Sequence, residues 1–181
     1  MDKILESLLE WQSICSKTEP LDDLENQLEQ RCAVSRTDLE ASCFEDLPDF
    51  RCLLLAKIDL QISRICEQIE SQLEKLAELS ATLFESYRII GLKLQQQLGM
   101  TEEGFAISYM MENLDKVCLY TRSEVEIRRS SLMSLDSLDI ERTIKAVSDF
   151  KEQWTMSYEE KQLFANVQHC FAFVVGQTSL N

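Results

Sequence analysis

A chain of 181 residues with 45% hydrophobic content can bury one sizeable core, and its 4 Gly and 2 Pro leave few of the turn residues that a strand-rich domain needs. The formal charge of −14 repels nucleic-acid phosphates and anionic lipid, which excludes direct non-specific binding to either unless a basic patch is segregated somewhere. Leu, Glu, Gln, Lys, Ser and Ile dominate, so the composition predicts an all-α protein with a single domain over 1–181.

The first predicted helix, 2–16, is capped by Asp2 and places Leu5, Leu8, Leu9, Gln12 and Cys15 on one side, with Trp11 at its edge. Thr18 and Pro20 then punctuate the chain and start a second helix, 20–32. Leu21, Leu24, Leu28 and Cys32 form its apolar face, and Asp22, Asp23 and Glu25 complement the dipole in its first turn. Residues 33–46 lose the pattern and read as a connector. Glu45, Asp46, Pro48 and Asp49 mark the start of the next element.

That element, 49–98, is a single very long helix around which the rest is organised. Leu55, Ile62, Ile69, Leu76, Leu83 and Ile90 recur every seven residues. A second row, Ile58 and Ile65 and then Cys66, Leu73, Tyr87 and Leu94, drifts from three to four residues behind the first. Such drift belongs to a nearly straight helix and makes a broad stripe suited to a bundle core. At 1.5 Å per residue the helix would be roughly 73 Å long, so other helices must cover it, the N-terminal ones over its first half. Gly91 sits inside it, and close packing of another helix or a bend would account for it. Gly99 and the TEEG stretch predict a cap and a turn.

A connection of about nine residues predicts that the next helix, 108–135, returns antiparallel. Met111, Leu114, Cys118, Thr121, Val125, Arg128, Leu132 and Leu135 form a narrow seam. Thr121 can bond its own backbone. Arg128 has two readings: its stem covers the core while the guanidinium reaches water, or the seam opens and Arg128 pairs with an acidic group of this chain or of a partner. With Arg122 and Arg129 it forms the chain's one basic cluster, and these three are candidate partner contacts. Asp136 or Ser137 then caps a helix, 138–154, with Ile140, Ile144, Val147, Phe150 or Lys151, and Trp154 on one face. Trp154 and Trp11 read either as core or as binding anchors. Ser157 and Glu160 make a capping box for the last helix, 158–175, where Leu163, Phe164, Val167, Phe171, Val174 and Val175 predict burial on more than one side and Gly176 a stop. The architecture these elements predict is an elongated antiparallel helical bundle.

Chemistry is hard to place on this chain. Seven scattered cysteines (15, 32, 43, 52, 66, 118 and 170) without a CxxC pair suit buried thiols in a reducing compartment, and His169 is the only histidine, so no metal and no cofactor are expected. Phosphate-binding glycine loops, GxSxG and HExxH are absent, and the 32 carboxylates fall on polar helix faces, which predicts no catalysis. The N-terminus is acidic where a signal peptide is basic, and no apolar run approaches the ~20 residues of a membrane span. A cytoplasmic or nuclear location is expected.

The order of features nevertheless resembles a known family. WQS at 11–13, the Pro20–Leu28 helix, LPDF at 47–50 opening the long helix, YTRSEVEIRRSSL at 120–132, the helix end Asp149–Trp154 and the apolar C-terminal helix are together similar to the AIRIM-type ribosome maturation factors. Those small helical proteins bind Cdc48-like AAA+ ATPases of the spermatogenesis-associated type. The resemblance spans nearly the whole chain by order and spacing. Two departures stand out: the family's first helix has no counterpart here, and Ser123, Glu124 and Glu126 make the 120–129 stretch less basic.

The resemblance implies a non-enzymatic adaptor that partners the AAA+ ATPase and a second helical subunit, of the cyclin-dependent-kinase-two-interacting type. It implies a role in late maturation of the large ribosomal subunit, contacted indirectly, and in replication-linked protein removal. That companion subunit is one alternative identity, since it too has a long helix followed by a basic one. A structural coiled-coil scaffold unrelated to any ATPase is another.

Overall fold

A computed structural model describes residues 2–37, 49–95, 102–135 and 140–178, with side chains over 3–37, 49–92, 107–135 and 140–173. The described residues form six helices and no strand: α1 (Asp2–Cys15), α2 (Glu19–Arg36), α3 (Phe50–Gln95), α4 (Glu102–Ser134), α5 (Ile140–Trp154) and α6 (Tyr158–Thr178). The protein is an all-α bundle containing one very long helix, α3, of 46 residues.

The chain gathers into two compact units. The first comprises Met1–Ser16, Glu74–Ile127 and Met156–Asn181, and the second Lys17–Leu73 and Arg128–Thr155. α1 and α6 therefore belong with the C-terminal half of α3, and α2 and α5 with its N-terminal half. Of the two N-terminal helices expected to cover the first half of α3, only α2 does so.

In the first unit, α3 and α4 run antiparallel. Ser80 meets Thr121 at 3.1 Å, Tyr87 bonds Asp115, and Gly91 faces Met111. The seam through this half is closed: Leu76 and Leu83 are fully buried, as are Leu114, Val117 and Thr121 opposite. Trp11 of α1 lies at the centre of that core, against Tyr120 and Phe164 at ring separations of 6.5 Å each, while Leu9 turns outward at 59% exposure. The buried face of α1 is thus Ile4, Leu8, Trp11 and Cys15, rotated from the expected one because two aromatic partners receive the indole. On α6, Phe164, Val167 and Phe171 are buried but Phe173 is 55% exposed, so the described part of this helix buries one face, not several.

In the second unit, α2 packs against α5. Leu21, Leu24 and Leu28 are buried on α2, and Thr143, Val147, Phe150 and Trp154 on α5, which resolves the Phe150 or Lys151 alternative in favour of Phe150. Lys151 instead reaches Asp22 and Glu25 across the helix pair. Arg31–Asp59 and Arg36–Glu141 add further ion pairs from α2 to α3 and α5.

Several predicted ends shift. α2 continues to Arg36, four residues into the expected connector, because nothing in 33–36 breaks it; it stops where the Thr37 amide and hydroxyl both donate to the Ala33 carbonyl. α4 begins at Glu102 instead of 108, so Glu102, Glu103 and Gly104 of the supposed turn are helical, consistent with two acidic residues favouring a helix N-terminus. α6 runs through Gly176 to Thr178, since a single glycine costs a helix only about 1 kcal/mol. The expected starts at Glu45, Asp46, Pro48, Asp136 and Ser137, and the Gly99 cap, lie outside the described residues. The capping box is present: the Ser157 amide donates to Glu160 Oε2 at 2.5 Å, and the Glu160 amide to Ser157 Oγ at 3.3 Å.

Candidate functional site

The basic cluster of α4 separates into two environments. Arg122 and Arg129 are exposed, the first in one unit and the second in the other. Arg128 is 0% exposed, in the second unit. Its Nη2 donates to the carbonyls of Gln153 at 3.4 Å and Trp154 at 3.2 Å, and its guanidinium carbon stands 5.2 Å from the centre of the Trp154 ring. These are the final carbonyls of α5, the groups that a helix leaves without an internal partner. A permanent cation satisfies them, meets the negative end of the α5 dipole and stacks on an indole face in one arrangement. The stem therefore does not lead the charge to water. The reading in which the guanidinium reaches water is overturned, and the structure adds a role that neither reading named, a clamp on the end of α5.

Trp154 is correspondingly core. It is 1% exposed and meets Phe150 edge-on at 5.7 Å and 86°. Ser131, one turn beyond Arg128, donates its hydroxyl to the Gln153 side chain at 3.0 Å and fastens the same helix end. Of the four candidate contacts, Arg122 and Arg129 stand at the surface, whereas Arg128 and Trp154 are committed to each other.

Several polar groups inside the first unit meet neighbours. Thr121 shares a hydrogen bond with Ser80 and donates to the Cys118 carbonyl at 3.2 Å. Burial pushes the Cys118 thiol up to about 12, and the adjacent Asp115 charge acts in the same direction. Burial and the same carboxylate raise Tyr87. Thiol and phenol stay protonated at neutral pH, so neither is a nucleophile there. His169 is exposed, and no group of three metal-binding side chains occurs among the described residues. No described helix is long and apolar enough to cross a membrane. Cys52, expected with the other thiols on an apolar face, is exposed.

Sequence reasoning missed the Trp11–Tyr120–Phe164 cluster and the Lys151–Asp22–Glu25 group. The second had a signal: Lys151 follows a core phenylalanine on α5 in a chain whose α2 carries Glu19, Asp22, Asp23 and Glu25 near its start. Neither protein-family models, curated proteins nor solved structures yield a match to this chain.

Proposed function

We propose that the protein is a non-catalytic adaptor subunit of an AAA+ ATPase complex in ribosome biogenesis, acting in late large-subunit maturation alongside a second helical subunit. The reading rests on the AIRIM resemblance, and one observation supports it. Stretches that carry the resemblance, far apart in sequence, meet in pairs: Trp11 of WQS with Tyr120 of the basic stretch, and Arg128 of that stretch with Trp154 of the α5 end. An order of motifs that also forms the buried framework is what a shared architecture would produce, because core pairs constrain one another.

With Arg128 and Trp154 inside, the charged contact to a partner falls to Arg122 and Arg129. Permanent cations on an acidic chain steer an acidic partner surface and set its orientation. Their stems need little rearrangement, so Arg122→Glu and Arg129→Glu, made separately, leave the melting temperature within about a degree or two. The test is affinity purification of the full chain from cell extract. An AAA+ hexamer in the eluate, reduced tenfold by either substitution, is the expected result. Helical scaffold proteins without any ATPase would replace this proposal with the coiled-coil scaffold.

A further inference from the structure

Away from the α4 cations, the first unit presents a second surface that the fold does not use. On α3, Ala77, Ala81, Phe84, Arg88 and Leu92 follow one another at steps of four, three, four and four, which places them on one flank of the helix beside its buried seam. Phe84 is 51% exposed and Leu92 53%, Ala81 is exposed and Ala77 half-buried. Over about 22 Å, four helical turns, this is an a/d-type apolar stripe laid on solvent. The two alanines keep its first half low, so that a second helix can come close to the backbone there, while Phe84 and Leu92 stand out from its second half. Arg88 does not interrupt it electrostatically, since its Nε and Nη2 both donate to Glu85 at 2.9 and 2.8 Å and its stem is apolar.

The border of the stripe decides what fits it. Glu74, Glu78 and Glu85 line the outer edge of the same stretch, all exposed, and among the described residues neither Glu74 nor Glu78 forms an ion pair. A second copy of this chain would bring like rows together between two molecules of formal charge −14. An anionic bilayer is repelled for the same reason. We propose that this α3 stripe docks an amphipathic helix of a partner protein whose flanking positions carry Lys and Arg. Phe84 supplies the aromatic anchor, and the glutamates fix the register through charged pairs at the edge of the seam. The surface is independent of Arg122 and Arg129, so it stands or falls separately from the ATPase adaptor reading.

A photo-crosslinking amino acid at Ala81 of the full chain, expressed in its own cells, tests this, with the same probe at exposed Ser123 of α4 as control. The expected product is one partner segment with apolar residues at helical spacing and more Lys plus Arg than Asp plus Glu, absent from the Ser123 control. Phe84→Asp with Leu92→Asp lowers its yield at least tenfold, and Glu74→Lys with Glu78→Lys does so without removing any apolar group, both with unchanged thermal melting. Coupling to a second copy of this chain, to lipid or to an acidic segment would overturn the proposal. So would a yield no greater than at Ser123, or one that neither pair of substitutions reduces.

Discussion

The two units solve one problem, holding helices against a half of α3, with different chemistry. The first closes mainly on aromatic packing: Trp11, Tyr120 and Phe164 meet pairwise at 6.0–6.5 Å, with the Ser80–Thr121 and Tyr87–Asp115 bonds between α3 and α4 and the Lys75–Glu10 ion pair between α3 and α1. The second relies more heavily on charge. Lys151 bridges to Asp22 and Glu25, Arg31 to Asp59 and Arg36 to Glu141, and Arg128 clamps the end of α5. Dispersion and apolar burial are nearly indifferent to pH and salt, whereas exposed ion pairs respond to both. The same fold class should therefore answer to different perturbations in its two parts.

The largest effect is expected from breaking the aromatic core. Trp11→Ala removes a fully buried indole and should cost about 4 kcal/mol, read from denaturant unfolding. In the second unit, Arg128→Ala strips the last carbonyls of α5 of a charged donor and leaves a void beside Trp154, for about 3 kcal/mol. Arg128→Lys should recover only part of that, because an ammonium can bond a carbonyl but does not stack on the indole as a planar guanidinium does.

Smaller changes sharpen the contrast. The Lys151 ammonium bonded to Asp22, with the Thr18 hydroxyl, holds the Asp22 carboxyl below its usual range, and the Asp22 bond in turn raises Lys151. A depressed carboxyl contributes stability above its unfolded value of ~4 and loses it as pH falls through the lower folded value. A raised lysine contributes below its unfolded value of ~10.4 and loses it as pH rises through the folded one. The α2–α5 pairing should accordingly weaken below about pH 4 and again in strong alkali, and Asp22→Asn should flatten the acid limb. Amide chemical shifts of α2 and α5 followed through an acid titration check this.

Gly91 gives the smallest effect, of opposite sign. A Cβ there would meet Met111 Cε at 3.7 Å, an ordinary contact, so tight packing is not what requires the glycine. Gly91→Ala should stabilise by about 0.5–1 kcal/mol through helix propensity alone. Thiol accessibility supplies a parallel check: among the described cysteines, Cys52 should be alkylated first in the native state, and Cys15 and Cys118 only on unfolding.

Periodicity carried much of the fold. Ile69, Leu76 and Leu83 were legible as core from spacing alone, and Ser157 with Glu160 from capping chemistry, because both signals are local. Trp11 was misplaced since a helical wheel treats apolar residues alike, whereas the rotation of α1 was decided by Tyr120 and Phe164, more than a hundred residues away. The helix-end role of Arg128 was missed for the same reason. An arginine on a seam looks identical whether its charge escapes to water or meets a helix end, and only the arrival of α5 distinguishes them. The exposed stripe at 77–92 shared its helix with a stronger seam and was masked by it, the more so because Ala77 and Ala81 weigh little in a hydrophobic pattern.

Arg128 clamps the end of α5 inside the second unit. Hydrogen exchange on Arg128→Ala, read by mass spectrometry in native buffer, tests it most directly. The expected result is the largest loss of protection in the last turns of α5 and in α2, little change in α1 and α6, and a far smaller response to Arg122→Ala. Unchanged protection throughout α5, with binding to a partner lost instead, would contradict it.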